Sequence, residues 1–327
     1  MKILIIRFSS IGDIILTTPI IRSVKTQLPN AEIHYLTKGF FSNLLINNPN
    51  IFKVHCYNQN LYENIQELRK ENFDYIIDLH NNIRTSLVKL FLMKPSATFN
   101  KLNFKKWIIV NLKINLLPDI HIVDRYFKAV EKLNVMNDNQ GLDFFIPEDE
   151  QININLLPNN FHSGYVCLVI GGKHFTKQLP DNILIQLCKH TEIPMVLLGG
   201  KEDRERAENI RKTADKHEIF NACGVFSIQQ SASIIEQSLK IITPDTGLMH
   251  IAAAFKKEII SVWGNTIPEF GMYPYLPEND KFKSKIYQIT GLKCRPCSKI
   301  GYKACPKKHF KCMNQIDTNQ LLKNLQK

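Results

Sequence analysis

The chain opens on an apolar run at residues 2–6 that stops at Arg7. A run this short, bounded by the polar turn Ser9-Ser10-Ile11-Gly12-Asp13, reads as a strand buried on both faces, because a half-exposed strand would alternate polar and apolar positions. From residue 14 to 28 the apolar positions recur at helical spacing, so the opening predicts strand, loop, helix. Residues 31–36 read as a second strand after the Pro29-Asn30 break, 61–70 as a charged helix and 73–79 as a further strand. Strands alternating with helices predict a parallel sheet, since a parallel neighbour needs a crossover connection.

Between 146 and 164 this rhythm fails. Pro147, the acidic residues 148–150, Pro158 and the pair Asn159-Asn160 mark a linker. Beyond it, runs at 165–170, 194–198, 240–243 and 258–263 lead into Gly171-Gly172, Gly199-Gly200, Pro244-Asp245 and Gly264. Four strands that each run into a Gly or Pro turn predict a second doubly wound sheet, with ligands outside the carboxyl ends of its strands. The expectation is an α/β protein of two domains, residues 1–155 and 156–327, facing a central cleft; a chain of 327 residues also exceeds what one core usually organises.

Composition narrows the function classes. Hydrophobic residues at 44% and charged residues at 22% exclude a disordered chain. Lys and Arg exceed Asp and Glu by 42 to 30, a formal charge of +12, which favours a phosphorylated substrate, an anionic membrane or nucleic acid. No recognised RNA or DNA module is present, so nucleic acid is not an expected partner. The first apolar segment is interrupted by Arg7, Ser9, Ser10, Gly12 and Asp13, and no other window approaches a membrane span, so a cytoplasmic protein is expected. In that compartment the eight cysteines would be thiols or metal ligands rather than disulfides.

Several stretches carry candidate chemistry. Asp13, at a loop-to-helix junction beyond a strand's carboxyl end, either points its carboxylate into a cleft there or serves simply as a helix cap. No G-x-G-x-x-G follows any strand, which argues against a dinucleotide-dependent dehydrogenase. In Thr243-Pro-Asp-Thr-Gly-Leu-Met-His250, Asp245 reads as a cap, and the amides of Thr246 and Gly247 open a helix and form an anion site. His250 lies one turn further along that helix; a well-capped core helix with a buried histidine explains the stretch equally well. Arg84, after the strand at 73–79, either grips an anion or faces solvent. The basic stretch 101–113 around Trp107 suits an anionic membrane surface or an ordinary amphipathic helix. Cys294, Cys297, Cys305 and Cys312 form a C-x2-C-x7-C-x6-C array that suits a structural zinc or free thiols.

Taken together, Gly12-Asp13 followed by Thr17-Thr18-Pro19, Lys177-Gln-Leu-Pro180 after a Gly-rich loop, and Asp245-Thr-Gly-x-x-His250-x-Ala-Ala resemble glycosyltransferase family 9, the heptosyltransferase group. The resemblance spans both halves of the chain. It implies a GT-B fold of two Rossmann-like domains, the first binding the acceptor and the second the nucleotide sugar. It implies an inverting transfer of heptose from ADP-heptose to a lipid-linked anionic saccharide, the lipopolysaccharide inner core, on the cytoplasmic face of the inner membrane. Asp13 matches the catalytic base, Lys177 a phosphate-binding lysine, and Asp245, Thr246, Gly247 and His250 the donor loop; Arg84 falls in the segment that faces the acceptor. The acidic residue that reads the ribose corresponds to Glu202 or Asp203. Leu179 stands where an aromatic residue is common, and residues 171–176 lack the consecutive hydroxyls of some members, which leaves open a transferase using another nucleotide sugar, an epimerase, or a non-catalytic binding protein. No D-x-D occurs, so no catalytic metal is expected: lysine and a helix N-terminus would hold the diphosphate.

Overall fold

The computed structural model describes residues 1–216 and 218–325. By its contacts the chain divides into two compact units, Met1–Leu102 with Ile120–Phe145, and Asn103–Asp119 with the chain from Ile146 onward.

The first unit holds a five-stranded sheet built from β1 (Lys2–Ile6), β2 (Glu32–Lys38), β3 (Lys53–Tyr57), β4 (Tyr75–Asp78) and β5 (Ser96–Thr98), in the order β3-β2-β1-β4-β5. Every pairing is parallel. β1 lies at the centre, where Ile3, Leu4, Ile5 and Ile6 are fully buried, as an uninterrupted apolar run requires. The helix expected over 14–28 is two helices, α1 (Ile11–Ile15) and α2 (Thr18–Gln27). The break has a local cause. Pro19, in the first turn of α2, has no amide to extend the ladder, and the hydroxyls of Thr17 and Thr18 donate back to the carbonyls of Ile14 and Ile15 at 2.6 and 2.8 Å. α3 (Leu61–Lys70) and α4 (Ile83–Leu92) cover one face of the sheet, packing Ile65, Leu68, Val88 and Leu92 against Leu4, Ile6, Leu36 and Ile76. Two further helices are α5 (Asn103–Leu112), which belongs to the second unit, and α6 (Ile122–Phe127), which belongs to the first.

The second unit is built on β6 (Val166–Val169), β7 (Met195–Leu198), β8 (Ile219–Asn221), β9 (Lys240–Pro244), β10 (Glu258–Trp263) and β11 (Ser284–Gln288). Its order is β11-β10-β9-β6-β7-β8, again parallel throughout, the doubly wound arrangement with six strands rather than the four read from sequence. Its helices are α7 (Asp181–His190), α8 (Arg204–Ala214), α9 (Ile228–Gln237), α10 (Gly247–Ala254), α11 (Lys311–Asn314) and α12 (Thr318–Leu325). Residues 146–164 run as irregular chain with single 3-10 turns, fastened to α9 by the Ile152 amide on Ser233 Oγ at 2.9 Å. α5 joins this unit through Ile109, which packs with Ile267 and Phe270.

In each sheet the strand order reverses once, between β1 and β4 in the first unit and between β6 and β9 in the second. At such a reversal the adjoining crossovers lie on opposite faces, leaving a crevice beyond the carboxyl ends of the two strands.

Candidate functional site

In the first unit the loop leaving β1 leads into α1, which carries Asp13 in its first turn, and the loop leaving β4 carries His80. Ser10 is the N-cap of α1 and Asp13 its third residue, not the cap; the Asp13 carboxylate reaches back to Ser10, accepting from its amide at 3.1 Å and its hydroxyl at 2.7 Å. The second carboxylate oxygen is ion-paired with the guanidinium of Arg7. Arg7 is buried: it also donates to the carbonyls of Ser9 and Leu79, and lies 6.0 Å from the centre of the Tyr126 ring. Burial alone would lower its pKa, but Asp13, then Tyr126, Tyr35 and Asp78, outweigh it and the pKa is raised. His80 stands edge-on to the Phe8 ring at 5.2 Å, and burial, then Arg7 and Lys101, push its pKa down to about 4, so it is neutral at physiological pH. Buried Asp78 shapes this loop by accepting from the amides of His80 and Asn81 at 3.0 and 2.7 Å, while Lys89 balances its charge at 3.0 Å.

In the second unit the crevice is lined by the loop leaving β6, which carries Lys177, and the loop leaving β9, which carries Asp245 and opens α10. Lys177 Nζ lies 2.6 Å from Asp245 Oδ2 and 3.3 Å from the Asp245 carbonyl. Asp245 also accepts from Thr266 Oγ1 at 3.0 Å. Asp245 does not cap α10. Thr246 is the N-cap, with its hydroxyl 3.1 Å from that of Thr243, and Gly247 is the first helical residue. His250 is buried within the same helix. A Cβ on Gly172 would meet the methyl of Thr246 at 3.6 Å, so the two loops run side by side. Burial, then Lys177 and Lys173, hold His174 below the usual imidazole range. The arrangement puts an ammonium group beside the free amides at a helix N-terminus, a combination suited to a diphosphate.

Each unit thus offers its own chemistry at its switch point: a fixed carboxylate in the first, and in the second an ammonium with a helix N-terminus that suits a phosphorylated ligand. The profile of glycosyltransferase family 9 (heptosyltransferase) matches residues 62–301. The chain belongs to this family. It is 26% identical to lipopolysaccharide heptosyltransferase 1 of Campylobacter coli, over 99% of this chain and 97% of that protein. Among solved structures, the family 9 glycosyl transferase of Veillonella parvula superposes with a TM-score of 0.78 at 20% identity, covering 99% of this chain and 96% of the other. The E. coli ADP-heptose lps heptosyltransferase II gives 0.76 at 21% identity, covering 100% and 98%. The fold is therefore the GT-B fold of these glycosyltransferases, and the chain is a glycosyltransferase of family 9.

Within that family frame the remaining candidates fall into place unevenly. Asp203 is buried and turned into the protein, accepting from the Gly200 amide at 2.9 Å; a Cβ on Gly171 would stand 2.2 Å from its carboxylate, which is why glycine stands at this point of the loop after β6. Glu202 is exposed on the same 3-10 turn. Arg84 is exposed in the first turn of α4. The residue of its segment brought into the electrostatic surroundings of Asp13 is His80. Sequence reasoning passed over both His80 and Arg7, although each follows a buried strand as directly as the residues it chose.

The four C-terminal cysteines share one neighbourhood: Cys294, Cys297 and Cys305 all act electrostatically on Cys312, and Cys294 Sγ is 3.7 Å from His309 Nε2. Arg295 anchors the segment by donating to the carbonyls of Gly264, Thr266 and Ile289 at 2.6, 2.8 and 3.1 Å. A different group, His34, His55 and Glu71, has three ligand atoms within 4.8 Å of one another. There the two imidazoles hydrogen-bond each other at 2.9 Å, and Lys53 and Lys2 take up the Glu71 carboxylate, so its own cations already satisfy it.

Proposed function

We propose that this glycosyltransferase moves heptose from ADP-heptose to the lipid-linked, anionic inner core of lipopolysaccharide, with inversion at the anomeric carbon. The observation that carries the reading is the pairing of chemistries at the two switch points: a fixed carboxylate in one unit, and an ammonium beside a helix N-terminus in the other. In support, the Campylobacter coli relative is named a lipopolysaccharide heptosyltransferase, and one solved structural neighbour is described as E. coli heptosyltransferase WaaC with ADP.

In this scheme Asp13 accepts the proton of the acceptor hydroxyl as its oxygen bonds to the anomeric carbon and the bond to the diphosphate breaks. Lys177 and the amides at the start of α10 receive the charge that gathers on the leaving diphosphate. Asp245, Thr246, Gly247 and His250 form the donor loop, and Arg84 contributes to the acceptor side. No metal is assigned to the chemical step. The test is incubation of the purified chain with ADP-heptose and heptose-less lipopolysaccharide, read as ADP release and mass gain of the acceptor. Transfer from another nucleotide sugar, but not this one, would overturn the donor assignment, and release from the donor alone would indicate an epimerase or hydrolase.

Two further parts of the reading concern the surface. Among the described residues no helix is long and apolar enough to cross a membrane. On α5 and beyond it, Phe104, Trp107, Leu112, Ile114 and Leu116 are exposed, with the Phe104 and Trp107 rings stacked at 6.5 Å and the exposed Lys105 on the same helix, while the Lys113 ammonium donates to the carbonyls of Val110 and Pro296 at 2.6 Å each. This apolar and basic surface supports peripheral contact with the cytoplasmic face of an anionic membrane, where a lipid-linked acceptor would be met. The thiols of Cys294, Cys297, Cys305 and Cys312 would supply the donor set for one structural zinc, which requires them to draw closer than they stand here, since among the described residues the ligand atoms within 4.8 Å of one another are those of His34, His55 and Glu71.

A further inference from the structure

We propose that Arg7, assisted by Ser10, is a positioning residue for the reaction, clamping the Asp13 carboxylate in the orientation from which it meets the acceptor hydroxyl. The inference rests on the reading of Asp13 as the general base and adds residues which that reading does not require.

The geometry carries it. Asp13 Oδ1 is ion-paired to the Arg7 guanidinium, and Oδ2 takes both the amide and the hydroxyl of Ser10, so each oxygen has a fixed partner. Arg7 cannot swing away, because its Nε is tied to the Ser9 carbonyl at 2.9 Å and another nitrogen to the Leu79 carbonyl, and the side chain is buried. Ser9 belongs to the loop leaving β1 and Leu79 to the loop leaving β4. One guanidinium therefore pins both loops of the crevice and the carboxylate between them. A fold that needed only a cap for the five-residue α1 would have it in Ser10 and Asp13 alone. A buried cation held by two backbone carbonyls does more than that: it keeps the carboxylate ionised and restricts it to one rotamer. Lysine offers the charge without the planar fork that reaches three acceptors at once.

The titratable groups coupled to Asp13 are Arg7, Tyr35 on β2, His80 after β4 and Tyr126 on α6; Asp78 acts on Arg7, and Lys101 on His80. Among the groups coupled directly to Asp13, His80 has its pKa on the acid side, at about 4, so it must be controlled for. The experiment measures kcat against pH for wild type, Arg7→Gln, Arg7→Lys and Asp13→Asn, with ADP-heptose and heptose-less lipopolysaccharide, alongside calorimetry of ADP binding. For Arg7→Gln we expect ADP affinity unchanged, kcat at neutral pH reduced about tenfold or more, and the acid limb moved up by about one to three pH units, the range for loss of an adjacent opposite charge. Arg7→Lys should keep the limb in place and recover part of kcat. In a His80→Gln background the limb should persist and still move on loss of Arg7; its disappearance there would overturn the proposal.

A kcat lowered equally at every pH, with the limb unmoved, makes Arg7 merely structural and overturns the proposal while Asp13 stands. Full activity of Asp13→Asn instead overturns the base assignment and the clamp with it. Should Arg7→Gln fail to fold, Ser10→Ala removes a fixed donor from the same carboxylate at an exposed position. It should move the limb in the same direction by less, and an unmoved limb then counts against the clamp.

Discussion

Lys177 and Asp245 lie 68 positions apart in the chain, yet their side chains form an ion pair of 2.6 Å, because β6 and β9 are neighbours in the sheet and each residue sits on the loop leaving its strand. The pair sets what Lys177 does before donor arrives: its charge is held at the crevice by Asp245 rather than spread into solvent. A diphosphate entering beside the α10 N-terminus must draw the ammonium partly away from that carboxylate. Lys177→Ala should then cost about 1.5 to 3 kcal/mol of ADP binding, the scale of a charge-assisted hydrogen bond, or roughly tenfold or more in affinity. Calorimetry with ADP and, separately, with acceptor is the measurement. Loss of acceptor affinity with ADP binding intact would move the diphosphate site elsewhere.

Asp13 and Ser10 make the reciprocal bonds of a helix start, so Asp13→Asn tests whether the carboxylate is more than a structural device. Asparagine keeps the shape and can still bond Ser10, but it cannot take a proton. We expect folding and ADP affinity close to wild type and turnover lower by about two or more orders of magnitude, the usual scale for loss of a general base. Activity within a few-fold of wild type returns Asp13 to a structural role.

The pH dependence of stability follows from the histidines. Burial, then His34 and Lys53, lower the His55 pKa from 6.5 to about 4, and His80 is lowered to about 4 by burial, Arg7 and Lys101. In the unfolded chain both regain the higher value, so between these limits the unfolded state binds more protons. A depressed folded pKa means that the stability contribution is complete above about pH 6.5 and is lost as pH falls toward about 4. Urea unfolding across this window should show stability declining with acid, and His55→Asn should reduce the slope by up to about one proton. A slope unchanged in His55→Asn would show that His55 takes up its proton equally in the folded and unfolded states, and so is not held below its ordinary pKa by the fold.

How much of this was legible in the sequence follows from where each strand lies. The strands read as apolar runs are β1, β2 and β4 in one sheet and β6, β7, β9 and β10 in the other, all of them interior. Those that escaped notice, β3, β5, β8 and β11, are the sheet edges, where Lys53, Ser96, Asn221 and Lys285 face partly outward and no unbroken apolar run is required. The same physics governs the site. Asp13 and the 245–250 stretch were found because glycine and proline punctuate the ends of interior strands, and Lys177 through the family resemblance of its Lys-Gln-Leu-Pro stretch. Arg7 was passed over because a buried cation directly after a strand carries no motif: its meaning lies in three acceptors that only the fold brings together, one of them on Leu79. For the same reason Asp245 was misread as a cap, since the partner that claims it is Lys177.

The C-terminal cysteine segment packs against the loop that carries Lys177. Tyr302, between Cys297 and Cys305, donates its amide to Thr176 Oγ1 at 2.8 Å and accepts the Thr176 amide on its carbonyl at 3.2 Å, and Thr176 immediately precedes Lys177. Nearby, a Cβ on Gly301 would stand 2.6 Å from His174, so the cysteine-bearing segment lies directly against the loop that presents the lysine. If the four thiols hold a zinc, its removal should loosen this brace as well as the segment itself. We expect about one zinc per chain in the purified protein, increased protease cleavage after residue 290 on chelation, and ADP affinity lowered several-fold without loss of the β-sheet signal. Cys297→Ser should reproduce both effects in untreated protein, and Tyr302→Pro, which removes the amide donor but leaves every thiol, should weaken ADP binding while retaining zinc. Metal-free protein with four readily alkylated thiols would remove the zinc from the account, and the response of ADP affinity to Tyr302→Pro would then decide whether the brace acts through hydrogen bonds alone.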